Sequence, residues 1–384
     1  MYGSIDVANV SKTHTAGNGT QMSKTTGTAD GFNAGNRIGF RGTEDLGGGL
    51  KASFVIEQGI NITNGQLFST RAAAAGQAID GVAASGNMPT GAYSTATNRQ
   101  SFVGASGGFG EIRAGYMYTA LYTVSTNNGY HVGSEQPGGD LAHGTLSNAN
   151  FGGTRANGIM YIAPTMSGVT VSIQKGAAGG REDVEIASSA PNTRAVDKTN
   201  RWSILADYAN GPLKASYAHT SLKQEQSAAT IGAFPTTIFG SLSATAISST
   251  GGADKANNYT NTLDQLGGSY VLGSLKLVAS MANGSIEDSV TPATNNATTK
   301  AKQIGAEYTI GAARPFVTTG TGTVTTDATG VKSFDGKLSQ VGVRYDLSKR
   351  TIAYFMTGST KDSAAASDKL AKRKATAIGL YHSF

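Results

Sequence analysis

The five histidines are the side chains in this sequence best suited to bind a metal or to transfer a proton, and they are widely separated. They lie at positions 14, 131, 143, 219 and 382, with no His-x-x-x-His pair and no carboxylate at ligand spacing. Cysteine is absent, so thiolate metal sites and disulfide bonds are excluded. We therefore expect no metal and no cofactor, although His131 and His143 share one long connection and leave a site there as the open alternative.

Two glycine runs have the composition of phosphate-binding loops, but their surroundings indicate turns. Gly47-Gly48-Gly49 and Gly107-Gly108-Phe109-Gly110 each join two strand-like segments, whereas a phosphate-binding loop joins a strand to a helix. We expect no Gly-x-Ser-x-Gly elbow, so a hydrolytic triad would have no anchor. We expect no catalytic residues, and the sequence does not indicate an enzyme.

Charged residues instead alternate with apolar ones, which is the pattern of a β-strand with two different faces. In segment 50–57 the apolar residues stand at positions 50, 52, 54 and 56, whereas Lys51, Ser53 and Glu57 share the other face. Segments 201–208 and 340–347 repeat the pattern, with Arg201 and Arg344 among their polar residues. Burying such groups without partners is costly, so we expect these charged faces to line water.

Short turns and long polar connections alternate along the whole chain. Two alternating segments meet across a short turn at seven places, near residues 45–49, 106–110, 165–168, 210–212, 272–274, 311–313 and 347–349. These hairpins account for fourteen strands, and single strands at about 2–13 and 370–384 bring the number to about sixteen. We predict an all-β, antiparallel transmembrane barrel that forms one domain over residues 1–384, with short turns at one rim and long loops at the other.

The hydropathy of the chain also favours a barrel over transmembrane helices. Mean hydropathy is −0.20, and no window approaches the ~18 to 20 apolar residues that a spanning helix needs. A soluble sandwich or a secreted fibre is the alternative, but its inward face would be aliphatic. Aromatic residues also recur near strand ends, as the girdles of a membrane barrel require, at Tyr2, Tyr116, Tyr208, Tyr270, Tyr308, Tyr345, Tyr354 and Phe384.

Positive charge exceeds negative charge, but it is dispersed. Net charge is +6, the sequence pI is about 9.3, and only 15% of residues are charged. Nucleic-acid binders usually concentrate positive charge on one face or segment, so we expect no nucleic-acid partner. The one dense run is Lys369, Lys372, Arg373 and Lys374, which could bind lipopolysaccharide phosphates, attract anions to a channel mouth, or simply be solvated.

Four segments of the chain together resemble a known family. They are 36–52, which begins Asn36-Arg37-Ile38-Gly39-Phe40-Arg41, and 99–110, 345–351 and 379–384. In order and spacing these segments resemble the trimeric general porins of β-proteobacteria and neisseriae. The resemblance implies a sixteen-stranded homotrimer in the Gram-negative outer membrane. It also implies that a third long loop, at about 120–153, folds into the lumen, and that the long stretch at about 61–98 is extracellular.

The resemblance further implies a constriction in which acids of the third loop face a ladder of basic residues. Arg37 and Arg155 fall on ladder positions, and Arg41 shares the inward face of Arg37. Arg155 also faces inward if its neighbours Met160 and Ile162 face lipid. On the loop, the acids that flank a Pro-Gly-Gly are Glu135 and Asp140.

This chain departs from the family pattern on the fifth strand. Tyr116 stands where relatives have a further ladder arginine, and Arg113 is the candidate that replaces its charge. The other side chains that we expect to line the pore, besides Tyr116, are Lys51, Glu57 and Arg344. We expect the C-terminal Phe384 to act as the assembly signal.

We therefore expect an outer-membrane channel for passive diffusion of small hydrophilic solutes and ions, mildly selective for anions and surrounded by lipid and lipopolysaccharide. One alternative is a substrate-selective porin with a tyrosine stripe at positions 116, 118, 122 and 130. Another is a structural or adhesive barrel that acts through the loop at 61–98. We interpret Met1 as the start of a mature chain whose targeting segment has been removed.

Overall fold

The fold is known from a computed structural model, which describes residues 1–60, 62–63, 98–128, 155–176, 184–187, 194–226, 257–289, 296–365, 367 and 370–384. These residues form eighteen strand segments and one helix. In chain order the elements are β1 (Tyr2–Ala16), β2 (Gln21–Asp30), β3 (Arg37–Gly47), β4 (Leu50–Gly59), β5 (Asn98–Gly107), β6 (Gly110–Tyr118), α1 (Ala120–Asn128), β7 (Arg155–Ile162), β8 (Val169–Gly176), β9 (Val184–Ala187), β10 (Arg194–Asn210), β11 (Leu213–Gln226), β12 (Asn257–Leu272), β13 (Leu275–Asp288), β14 (Ala297–Tyr308), β15 (Ala313–Thr326), β16 (Lys332–Asp346), β17 (Thr351–Asp362) and β18 (Leu370–Ser383).

The strand segments form a closed antiparallel barrel of sixteen wall strands, as the sequence predicted. Segments β2 and β3 both pair with β1, and β8 and β9 both pair with β10, so each of these couples is one interrupted wall strand. Strand β1 closes the barrel against β18, in a register that runs from Ser4 opposite Ser383. Among the described residues, no helix is long and apolar enough to cross a membrane.

All seven predicted hairpin turns are present, at one rim of the barrel. At the first of them Gly47, Gly48 and Gly49 have φ values of 83°, 61° and 81°, a backbone conformation that is costly for residues with a side chain. These turns set the register of each strand pair, and a register error of one residue would exchange the inner and outer faces.

The outer surface has an apolar belt, as a lipid-facing wall requires. Val103, Ile304 and Ile378 are between 61% and 64% exposed although they lie in the middle of regular strands. Aromatic side chains lie on the outside towards the short-turn rim, at Tyr161, Tyr270, Tyr308, Tyr345 and Phe384.

Two residues of the predicted aromatic girdle face inward instead. Tyr2 donates a hydrogen bond to Glu57, and Tyr354, which is 3% exposed, donates one to Asp6. They share the inward register of their strands, and both hydroxyls have carboxylate partners that the membrane could not supply.

The inner face is only partly charged, which corrects the expectation that the whole inward face lines water. Helix α1 follows β6 and lies inside the barrel, where its fully buried Leu121 and Val124 face the opposite wall. They belong to an apolar cluster with inward residues of β10–β16, among them Leu205, Leu263 and Leu338. Aliphatic residues can face inward on this wall because the helix shields them from water. The first part of the third loop is therefore packed against the barrel wall.

A second inward segment, residues 31–36, connects β2 to β3. The Asp6 carboxylate accepts the backbone N–H groups of Asn33 and Ala34 at 2.5 and 2.6 Å. Phe32 is thereby buried to 1% exposure in a second apolar cluster that includes Phe316. Helix α1 and the segment 31–36 therefore each cover part of the inner wall, and a charged sector of the wall lies outside both.

Candidate functional site

A charged cluster lies on the inner face of the first part of the barrel, with the Glu57 carboxylate at its centre. Arg99 Nε donates to Glu57 Oε1 at 2.6 Å, and Arg37 Nη1 lies 3.9 Å from the same oxygen. The hydroxyls of Tyr2 and Tyr118 donate to Glu57 at 3.1 and 3.4 Å. Glu57 is only 3% exposed, so it is a buried counter-ion that orders the guanidinium groups around it rather than a solvated carboxylate.

Arg37 and Arg41 are on the inner face of β3, whereas Phe40 between them is 51% exposed on the outside. Arg37 Nε donates to Ser4 Oγ at 3.1 Å. The guanidinium carbon of Arg41 lies 5.2 Å from the centre of the Tyr2 ring, a cation–π distance. These two arginines occupy the side of the wall that alternation predicted.

Arg155 enters the interior for a reason other than the one the sequence suggested. Met160 and Ile162 do not face lipid: they line an internal cavity, whereas Ile159 is 60% exposed on the outside. Strict alternation would therefore place Arg155 on the outer face. It is the first residue of β7, and its guanidinium turns inward onto aromatic rings.

Those rings belong to Tyr118, at the end of β6, and Tyr122, in α1. They stack with centroids 4.5 Å apart, and the Arg155 guanidinium carbon lies 4.9 and 5.9 Å from them. Burial raises the pKa of the Tyr122 phenol above its usual range, so the ring remains neutral. The stack joins the inward helix to the arginines of the wall.

Arg99 is the principal residue that sequence reasoning missed. In the pairing of β4 with β5, Glu57 lies opposite Gln100 and Gln58 lies opposite Asn98, so Arg99 is the extra residue of a β-bulge. A bulge re-aims a side chain, and here it points Arg99 inward next to an inward-facing neighbour. We call Arg37, Arg41, Arg99 and Arg155 the basic wall. Arg99 and Arg37 pair with Glu57, whereas Arg41 and Arg155 lie over the rings of Tyr2 and of Tyr118 and Tyr122.

Arg113 faces inward but its charge is compensated. Its Nε and Nη2 donate to the two carboxylate oxygens of Glu111 at 2.7 and 2.8 Å, and its guanidinium lies 4.9 Å from the Phe102 ring. Arg113 lines a cavity of about 190 Å³ between α1 and strands β5–β8 and β10. It is therefore separate from the basic wall.

The register places Tyr116 on the outer side of β6, contrary to the expectation that it lines the pore. Tyr116 lies opposite Ser101, on the same face as Ile112, which is 46% exposed. Its neighbour Met117, which is 1% exposed, takes the inward position. The tyrosines that do face inward on this side are Tyr118 and Tyr122.

Arg344 is inward but packed. Its Nη1 donates to Glu307 at 2.7 Å and its guanidinium lies 4.4 Å from the Phe316 ring, so only 5% of the residue is exposed. The expectation of a water-lining arginine is wrong here because the segment 31–36 covers it: Asn33 Oδ1 accepts a hydrogen bond from its Nε at 3.3 Å. Lys51, by contrast, is exposed, at an inward register position opposite Asp45 near the short-turn rim.

Phe384 lies where the two ends of the chain meet. Its backbone N–H and C=O exchange hydrogen bonds with Gly3, at 3.1 and 3.0 Å, and this continues the pairing of β1 with β18. Phe384 is 39% exposed at the short-turn rim. Its role as an assembly signal stays a prediction.

Several residues singled out in the sequence lie outside the described part of the chain. Glu135, Asp140 and most of the stretch 61–98 lie outside the described residues, as do His131 and His143. Over the part of the chain that the structure describes, no cluster of three potential metal ligands occurs. The sequence does contain one Gly-x-Ser-x-Gly spacing, at 104–108, but it ends β5 in a β-hairpin and so forms no nucleophile elbow.

A closed sixteen-stranded barrel with an apolar outer belt, short turns at one rim and an arginine-rich inner sector defines a bacterial outer-membrane barrel. A family model of Gram-negative porins matches residues 1–365. The chain belongs to this family, and its location is accordingly the outer membrane.

Individual relatives cover less of the chain. A major outer membrane protein P.IB of Neisseria meningitidis is 34% identical over 118 residues, which are 30% of this chain and 27% of the relative. The same protein of Neisseria gonorrhoeae is 41% identical over 81 residues, 21% of this chain and 16% of the relative. The matches thus span about a quarter or less of the length of these curated relatives.

Solved structures support the fold over the whole chain. An anion-selective porin from Comamonas acidovorans superposes with a TM-score of 0.65 at 20% identity, covering 100% of this chain and 98% of that one. OmpT of Vibrio cholerae superposes with a TM-score of 0.61 at 14% identity, covering 100% and 96%.

Proposed function

We propose that the protein forms a water-filled channel for passive diffusion of small hydrophilic solutes and ions, with a mild preference for anions. The observation that carries the proposal is the basic wall, in which, among the described residues, four arginines share one sector of the inner face and one carboxylate, Glu57, pairs with two of them. An inner surface with excess positive charge raises the local concentration of anions and repels cations. The anion selectivity of the Comamonas acidovorans porin agrees with this direction.

The preference should be modest because much of the inward charge is neutralised. Arg113 is held by Glu111, and Arg344 by Glu307. Among the described residues, the guanidinium groups of the basic wall outnumber the carboxylates bonded to them. Glu135 and Asp140, if they face that wall as the family resemblance implies, would reduce its excess charge further and create a transverse field.

Reversal potentials in planar bilayers test the selectivity. We expect the wild-type protein to show anion preference in a KCl gradient, and Arg41→Gln combined with Arg155→Gln to move the reversal potential toward zero. Arg350→Gln, which removes the same charge at an exposed turn, is the matched control. Cation preference in the wild type would contradict the selectivity, and absence of conductance would favour the structural or adhesive barrel.

A substrate-selective channel is the second candidate, and the stacked pair Tyr118–Tyr122 beside Arg155 favours it. Aromatic faces next to guanidinium groups can bind a planar or anionic solute. Saturable block of conductance by one class of solute, lost in Tyr122→Leu, would support this reading over free diffusion.

We further propose a homotrimer, which rests on family membership. Conductance steps in groups of three, together with a trimer band in unheated electrophoresis, would support it. Steps of a single size, with a monomer mass in detergent, would contradict it.

We also propose that lipopolysaccharide contacts a row of lysines on the outer wall. Lys337 lies directly opposite Lys361, which lies directly opposite Lys372, and all three are exposed. Like charges that face each other across strands destabilise a sheet, so anionic phosphate groups would stabilise this row. Of the dense basic run, Lys372 and Lys374 face outward, Arg373 shares the inward register, and Lys369 is outside the described residues.

Binding to lipopolysaccharide vesicles and to phosphatidylcholine vesicles tests this contact. We expect the triple variant Lys337→Gln, Lys361→Gln and Lys372→Gln to bind lipopolysaccharide vesicles more weakly than the wild type does. Its binding to phosphatidylcholine vesicles should be unchanged. Lys51→Gln, on the inner face, is the control. Equal binding by the triple variant and the wild type would refute the contact.

A further inference from the structure

Arg201 is deeply buried, and no described residue forms an ion pair with it. It is 2% exposed on the inner face of β10, whereas its neighbour Trp202 is 41% exposed on the outside. Among the described residues, its Nε and Nη2 have no hydrogen-bond partner. The guanidinium group stays charged in proteins, so this is a buried cation to which no described residue supplies a counter-charge.

The acids of β10 lie far along the strand from Arg201. Of the inward positions of β8, β10 and β11 whose side chains the structure describes, the single acid is Asp207, six residues along β10 and so about 20 Å away, and Asp197 lies four residues along β10 in the other direction, about 13 Å away. Asp207 instead accepts a hydrogen bond from Ser216.

The two unpartnered atoms of Arg201 are the ones that hold carboxylates elsewhere in this protein. Arg113 binds Glu111 through Nε and Nη2, and Arg314 binds Asp346 through the same two atoms at 2.9 and 2.6 Å. This edge of the guanidinium fits two oxygens of one carboxylate. In Arg201 the same edge has no partner among the described residues.

Polar side chains without partners lie directly beside Arg201. Ser203 is two positions along β10, and the register places Gln174 of β8 and Thr220 of β11 opposite it on either side. Gln174 is 4% exposed, Ser203 is 1% exposed and Thr220 is fully buried. Their side-chain polar atoms lack hydrogen-bond partners among the described residues. Gln174 and Ser203 also line the cavity of about 190 Å³ beside α1.

We propose that Arg201, with Gln174, Ser203 and Thr220, forms a binding site for a small carboxylate solute on the inner face of β8, β10 and β11. The carboxylate binds Nε and Nη2 of Arg201, and the amide and hydroxyl groups hold the remaining polar atoms of the solute. The site rests on the proposed function only in that solutes must reach the interior. It adds chemical recognition of a carboxylate to the general anion preference of the basic wall.

Calorimetric titration of the refolded, detergent-solubilised protein with succinate tests the site, with neutral succinamide as the solute control. We expect saturable binding of succinate by the wild type, and at least about tenfold weaker binding by Arg201→Gln, because a charge-assisted bidentate pair is lost. Arg201→Lys keeps the charge without the bidentate edge and should lie between the two. Lys223→Gln, on the outer face of β11, removes one charge and should bind like the wild type.

Unchanged succinate affinity in Arg201→Gln, or no binding by the wild type, would overturn the site. Heat-dependent electrophoretic mobility verifies that each variant is folded, and Arg201→Lys carries the test if the glutamine variant fails to fold. Single-channel conductance in KCl is measured separately. Binding without conductance would reject the channel and keep the site, whereas conductance without binding would reject the site alone.

Discussion

Removal of the Glu57 charge should destabilise the barrel more than removal of the inward Glu111 charge. The substitution Glu57→Gln leaves Arg99 Nε without the anion that it binds at 2.6 Å. The side chain of Glu57 is only 4% exposed and that of Arg99 only 15%, so water replaces the lost interaction poorly. Loss of one partner of a buried pair costs about 3 to 5 kcal/mol. We take about 3 kcal/mol because Arg99 keeps its bond to the Tyr118 hydroxyl.

Glu111→Gln is the matched control because it removes the same charge from the same inner face. Its pair with Arg113 is more exposed, with 24% of the Glu111 side chain and 29% of the Arg113 side chain accessible. We therefore expect a cost of about 1 kcal/mol or less. The comparison separates the effect of burial from that of net charge.

Urea-induced unfolding in detergent, followed by tryptophan fluorescence of the single residue Trp202, measures both variants. Glu57→Gln should lower the unfolding midpoint clearly, and Glu111→Gln only slightly. Because Glu57→Gln also removes the one carboxylate within the basic wall, surviving channels should be more anion-selective than the wild type. Equal midpoints for the two variants would refute the argument that Glu57 is a buried counter-ion.

Two further substitutions test the elements that fill the interior. Leu121→Ala, at a residue that is fully buried, should cost about 2 to 5 kcal/mol in the same unfolding assay, whereas Leu347→Ala, 58% exposed at a turn, should change little. Asp6→Asn should cost about 1 to 3 kcal/mol, because the charged acceptor of the Asn33 N–H and of the Tyr354 hydroxyl is lost. A wild-type midpoint for either variant would show that its element does not contribute to stability.

The barrel itself was predictable because its signals are local. Turn residues such as Gly47–Gly49 and strict alternation in segments such as 50–57 determine strand direction and face without reference to distant residues. The inward positions of Arg37, Arg41 and Glu57 followed from that alternation. The closed barrel of sixteen wall strands then followed from the number of hairpins.

The rest depended on contacts between residues far apart in sequence. Arg99 faces inward because of a bulge against β4, which alternation alone cannot reveal. Arg155 faces inward through the rings of Tyr118 and Tyr122, and Tyr116 lies on the opposite side of β6. The inward bend at 31–36 depends on Asp6, about one strand pair away in the chain.

The division of the interior into two sectors explains why few charges can decide selectivity. Helix α1 and the segment 31–36 cover apolar and ion-paired parts of the wall, including Leu263 and Arg344. Part of the inward charge that they leave uncovered lies where β3, β5 and β7 contribute the arginines of the basic wall. Because Glu57 is buried among those arginines, it fixes their positions without presenting a negative surface to solutes. Among the described residues, the basic wall therefore combines a rigid geometry, which the buried ion pair of Glu57 and Arg99 supplies, with more guanidinium groups than carboxylates.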